Sequence, residues 1–207
     1  MLSNPLITGL TFMISGKIMP EPRTVLFLLL LCLTQNANAD FSLDALMAQF
    51  SKTTYGNAQF REEKQMAVLE TPLILEGTLS YRAPDYLRKE VQQPEHSLFE
   101  ITGDLLRIET ETEQQTLSLD THPLIRAFAE SYRATLSGDG VMLRQYFETE
   151  LTGTLDNWTL RLLPKDDQVR SHIKVIFIMG SGNQIYSTKT VEVTGDFSVM
   201  TIEPDNE

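Results

Sequence analysis

The 207 residues carry 17 Lys and Arg against 28 Asp and Glu, a formal net charge of −11. A phosphate backbone or an anionic membrane surface repels such a chain, so nucleic acid is set aside as a partner. The single cysteine, Cys32, excludes an intrachain disulfide framework and a cysteine-based zinc site.

Lys17 and Arg23 precede an apolar run at 25–33, which is followed by Ala37-Asn38-Ala39 and then Asp40. The run is well short of the roughly 20 residues that a membrane-spanning helix needs, and a small-residue cleavage site follows it. This is the pattern of a cleaved signal peptide over 1–39. Met19 opens an equally good signal by itself, so 1–18 reads as a misassigned start. Cleavage removes Cys32, and Leu31 in front of it argues against lipid attachment there. Residues 40–207 are then expected to form a single domain, long enough to bury about 70% of its unfolded-chain surface.

Leu43, Leu46, Met47 and Phe50 recur at helical spacing behind Ser42, predicting an amphipathic helix with Ser42 as its cap. Short runs broken by Gly and Pro follow: 60–70, 73–83, 86–91, 97–102, 105–110 and 116–119. They predict a meander of antiparallel strands, with Gly103-Asp104 as a tight turn and Pro94 as a break. Leu73, Leu75, Gly77, Leu79, Tyr81 and Ala83 alternate onto one apolar face.

A second helical region is predicted from Pro123, at a first helical position behind Thr121 or His122, through Ile125, Phe128, Ala129, Tyr132 and Leu136. A short helix is predicted over 141–147. Strands resume at 151–155, 158–163, 173–179, 184–193 and 197–202. The separators Gly180-Ser181-Gly182-Asn183 and Gly195-Asp196 read as hairpin turns, because no helix follows to complete a phosphate loop. Trp158, Leu160 and Leu162 share one face, as do Ile173, Val175, Phe177 and Met179.

Chemistry is sparse. His96, His122 and His172 stand apart and lack the helical i, i+4 spacing of a metal pair. There is no GxSxG nucleophile elbow. The carboxylates, including Glu62-Glu63 and Asp166-Asp167, read as solvated faces. No cofactor, metal site or catalytic residue is expected, and a hydrolase ranks last among the function classes. The apolar faces of about eleven strands either form an ordinary core or line a pocket for an apolar ligand.

The order of these elements, together with Phe60, Gly77-x-Leu79, Pro84 followed closely by an aromatic residue, Pro94 and the Gly103-Asp104 turn, resembles the periplasmic outer-membrane lipoprotein carrier (LolA) family, in a divergent branch. The resemblance spans 40–207 and concentrates at 60–109. It implies a mainly β fold with helices (α+β): an incomplete antiparallel β-barrel, a strongly curved sheet covered by a helical lid. It further implies a non-enzymatic, monomeric periplasmic carrier. Lipid or lipoprotein acyl chains, or a polyene lipid, would pass from an inner-membrane exporter to an outer-membrane acceptor. The alternative is a lipid- or peptide-sensing regulatory or assembly module of the same fold. The cavity is expected at Leu73, Leu75, Leu79, Tyr81, Phe99, Ile101, Trp158, Leu160, Val175 and Phe177. The lid is expected over 122–147, with Ile125, Phe128, Tyr132, Leu143 and Phe147. The carriers place a lid-holding arginine directly before the proline that ends this strand. Here Ala83 stands there and Arg82 is one residue early, so closure is expected to rest on apolar packing more than on a polar latch.

Overall fold

The computed structural model describes residues 41–205. The expected signal peptide, Cys32, the alternative start and the cleavage point at Asp40 lie outside the described residues.

Helix α1 (Leu43–Phe50) begins where Ser42 Oγ accepts a hydrogen bond from the Ala45 amide at 3.2 Å, and it buries Leu46, Met47 and Phe50. Six strands follow: β1 (Tyr55–Gln65), β2 (Leu73–Arg82), β3 (Tyr86–Gln93), β4 (Ser97–Thr102), β5 (Leu105–Thr110) and β6 (Gln114–Ser118). A 3-10 turn at Leu119–Thr121 leads into α2 (Pro123–Leu136) and α3 (Gly140–Tyr146), the latter capped by Asp139. His122 holds the N-cap position of α2 without a side-chain capping bond. Then come β7 (Phe147–Thr154), β8 (Asn157–Pro164), a one-turn helix α4 (Asp167–Arg170), β9 (Ile173–Ser181), β10 (Gln184–Glu192) and β11 (Phe197–Pro204).

All eleven strands form one antiparallel sheet in the order β6-β5-β4-β3-β2-β1-β11-β10-β9-β8-β7. Each half is a meander of sequence neighbours, and the pairing of β1 with β11 joins the halves, with Phe60 opposite Ile202. The outer strands β6 and β7 do not pair, so the sheet does not close into a barrel. The chain passes from one edge to the other through α2 and α3, which places α2 across the inner face.

The β7–β10 half of that face is filled. Leu46, Met47 and Phe50 of α1, Leu143 of α3, Ala127 and Ala134 of α2 and Val169 of α4 pack on Trp158, Leu160, Leu162, Ile176 and Ile178. Phe50 meets Trp158 edge to face with ring centroids 5.7 Å apart, a preferred aromatic geometry.

Two sequence expectations are corrected here. Strand β1 starts at Tyr55 and ends at Gln65, rather than spanning 60–70, because its polar first half is held by pairing with 78–82 of β2 and not by its own alternation. In β9 the register shifts between Val191–Val175 and Glu192–Ile173, an irregularity that inserts one residue and changes which face follows. Ile173, Ile176 and Ile178 therefore enter the core. Phe177 instead pairs with Arg161 and Lys189, on the opposite face from Ile176 and Ile178, and Val175 and Met179 share its phase.

Candidate functional site

The other half of the inner face is not filled. Between α2 and β1–β5, β10 and β11 lies a cavity of about 1100 Å³, at the upper edge of the roughly 300–1000 Å³ usual for small-molecule sites. Its lining includes both ends of β1, Tyr55 to Ala58 and Lys64 with Gln65, so the trough runs on the order of 30 Å along the strand.

Helix α2 supplies the roof. Ile125, Phe128 and Tyr132 fall at i, i+3 and i+7 on one stripe, and all three line the cavity with Ala129 and Leu136. Ile125 and Ala129 also pack on Leu106 and Ile101, and Tyr132 packs toward Phe60, Val91 and Met200. The walls come from alternate residues of the strands: Leu79 and Tyr81, Leu87 and Lys89, Phe99 and Ile101, Met200 and Ile202. Phe99 leaves 37% of its surface exposed although it lies in mid-strand, as expected of a wall residue with no partner above it.

The residues named from sequence separate into three groups. Leu79, Tyr81, Phe99, Ile101, Ile125, Phe128 and Tyr132 line the cavity. Leu75 packs under it against Phe60, Val91 and Met200, while Leu73 is half-buried at the strand start, opposite Lys64. The third group is corrected to filled core or outer face. Trp158, Leu160, Leu143 and Phe147 are fully buried between α1, α3 and β8, which leaves no space beside them. Val175, buried at 7% exposure, and the half-buried Phe177 lie on the face opposite Ile176 and Ile178 because of the β9 irregularity.

Sequence reasoning missed the charged wall. Glu62, read as solvated, is 7% exposed, because Phe60, Glu62 and Lys64 alternate onto the inner face of β1 while Arg61 and Glu63 point out. Lys89 Nζ donates a hydrogen bond to Glu62 Oε2 and stands 4.7 Å from the centre of the Phe60 ring. Lys64 Nζ lies 3.8 Å from the other Glu62 oxygen. Burial lowers the Lys89 pKa, and the attraction of Glu62 opposes it only in part. Tyr132 Oη donates to Thr188 Oγ1 at 3.2 Å. Burial pushes the Tyr132 phenol up to about 12, with the Thr188 bond acting against it and the Glu62 charge adding to it. The signal for all this was the period-two phase set by Phe60, which puts Glu62 inside.

Polar contacts tie the roof to the rim. Arg126 of α2 reaches Asp104 at 2.9 Å and Asp120 at 2.5 Å, and Arg133, held by Glu130 within the helix, donates to the Gly103 carbonyl. The helix thus brings its own arginines to the Gly103-Asp104 turn, beside the apolar packing of Ile125 and Ala129 on Leu106 and Ile101. Arg82 is exposed and lies over the Tyr86 ring at 4.6 Å, away from α2.

The three histidines remain apart. His96 is 3.2 Å from Glu90, His122 is 2.8 Å from the Ser118 carbonyl and His172 is 3.0 Å from the Gln168 carbonyl. Among the described residues no cluster of three or more His, Cys, Asp or Glu side chains could hold a metal ion. No described helix is long and apolar enough to cross a membrane.

Residues 35–202 match the family model described as outer membrane lipoprotein carrier protein LolA-like. No curated protein matches the sequence. Among solved structures, the chain is similar to a LolA superfamily protein of Nitrosomonas europaea, at 8% identity and a TM-score of 0.43, over 80% of this chain and 94% of that one. It is similar to a DUF1329 family protein of Desulfovibrio piger at 10% identity and 0.43, over 78% and 88%. A putative outer membrane lipoprotein-sorting protein domain of Vibrio parahaemolyticus matches at 10% identity and 0.40, over 80% and 92%.

Proposed function

The chain belongs to the outer membrane lipoprotein carrier protein LolA-like family, and from that premise we propose that it is an exported, non-enzymatic carrier that shields a lipophilic chain in the cavity beneath α2. The observation that carries this reading is the unfilled, largely apolar trough of about 1100 Å³ between α2 and one half of the sheet, beside a second half that is packed solid. Each methylene that enters such a trough gains about 0.8 kcal/mol, so a partly enclosed acyl or polyene chain binds without any bond being made or broken.

The proposed cycle places residues 40–207 in the periplasm as one monomeric domain, after removal of 1–39. A chain is taken up from an inner-membrane exporter and passed to an outer-membrane acceptor. Release follows from displacement of α2, which packs on the filled core through Ala127 and Ala134 and roofs the cavity with Ile125, Phe128 and Tyr132. Native mass spectrometry of the protein purified from periplasm tests the reading. A bound lipid adduct that organic extraction removes is expected. Protein that carries no adduct and takes up none from mixed lipid extracts would refute it.

A further inference from the structure

Tyr81 is 6% exposed, and its hydroxyl has no hydrogen-bond partner among the described residues. A buried hydroxyl left unpaired costs about 1–3 kcal/mol, so a wall residue in this condition marks a bond still to be made. Phenylalanine fills the same space at no such cost. Independently, the same face of the sheet carries Lys89, an ammonium with three donors, which among the described residues has Glu62 as its one hydrogen-bond partner. Lys64 and Lys89 flank Glu62, which leaves the group one positive charge in excess. Ion pairs away from water are often no more stable than apolar residues of the same size, so packing alone does not account for this one on a cavity wall.

Resting on the carrier reading above, we propose that the cargo is an amphiphile that brings an oxygen group inside the cavity, a carboxylate or an ester, and that the Tyr81 hydroxyl and the Lys89 ammonium are its donors. The apolar wall formed by Leu79, Phe99, Ile101 and Phe128 takes the chain, and the two donors set how far it enters. A pure hydrocarbon fits the same trough but leaves Tyr81 unpaired.

The test is fluorescence titration of the exported protein with three probes: cis-parinaric acid, its methyl ester and the hydrocarbon diphenylhexatriene. In Tyr81→Phe, affinity for the acid and for the ester falls about fivefold relative to the hydrocarbon, the loss of one neutral hydrogen bond. In the neutral double variant Glu62→Gln with Lys89→Gln, affinity for the acid falls about tenfold relative to the ester, which separates a carboxylate from an ester as the preferred group. Circular dichroism confirms that both variants are folded. Unchanged probe ratios in both variants, with the hydrocarbon still bound, overturn the inference and leave the carrier reading standing. Failure of the unmodified protein to bind any of the three overturns both.

Discussion

Gly180 of β9 faces Trp158 of β8 so closely that a Cβ added to the glycine would stand 2.1 Å from Trp158 Cζ2 and 2.2 Å from the Gln184 carbonyl oxygen. The indole is fully buried and donates from Nε1 to the Gly182 carbonyl at 3.0 Å. The hairpin that read as a simple turn in the sequence is therefore also the seat of the largest core side chain. Gly180→Ala is expected to destabilise the protein by about 3 kcal/mol, at the upper end of overpacking costs, because backbone bounds the space on one side. Urea unfolding followed by tryptophan fluorescence measures it. An unchanged midpoint would show that Trp158 has another place to go.

The pair on the opposite half makes a different prediction. Lys89→Met leaves the Glu62 carboxylate inside the cavity without its hydrogen-bond donor, and breaking a buried pair costs about 3–5 kcal/mol. With Lys64 at 3.8 Å to soften the loss, the lower end of that range is expected. Adding Glu62→Leu to the same chain restores most of it. Chemical denaturation of both variants is the check, and a double variant no more stable than the single one would contradict the assignment.

Alkaline pH gives a third expectation. The Tyr132 phenol is raised to about 12 in the folded protein, against an ordinary value near 10. The folded state thus holds a proton that the unfolded state loses, and stability falls as pH rises between about 10 and 12. Thermal melts across that window should decline, and Tyr132→Phe should flatten the decline. The same slope in both proteins would assign it to other groups.

The attachment of α2 can be tested apart from its apolar contacts. Arg126→Ala removes the bonds to Asp104 and Asp120, so amide exchange in 123–136 should accelerate while the 73–82 strand stays protected. Arg82→Ala, which touches only the Tyr86 ring among the contacts described above, should change neither segment. Slowed exchange in α2 on adding a lipid would mark the roof as the moving part. Equal protection in both segments, indifferent to lipid, would make it fixed core.

The architecture was legible because its signals are local. Gly and Pro punctuation and period-two runs gave eleven strands in order, and Pro123 with the Ile125–Leu136 stripe gave α2. What failed was phase over long distance. The irregularity in β9 depends on where β10 pairs, so no window around Ile173 reveals that Phe177 turns outward. Which half of the sheet is hollow is equally nonlocal: Leu79 and Leu160 present similar alternation, but α1 and α3 cover only the second. Glu62 was hidden by composition, since its charge suggested solvent while its phase with Phe60 placed it inside. The one-turn α4 helix is too short to carry a periodic signal.

The most direct test of the central claim is photo-crosslinking of a diazirine-bearing fatty acid to the purified protein, with the labelled residues located by mass spectrometry. Binding beneath α2 predicts adducts on the trough walls and roof, on Leu79, Phe99, Phe128 or Met200, suppressed by an excess of unlabelled lipid. Adducts confined to the outer face, such as Phe177 and Met179, or none above background, would contradict it.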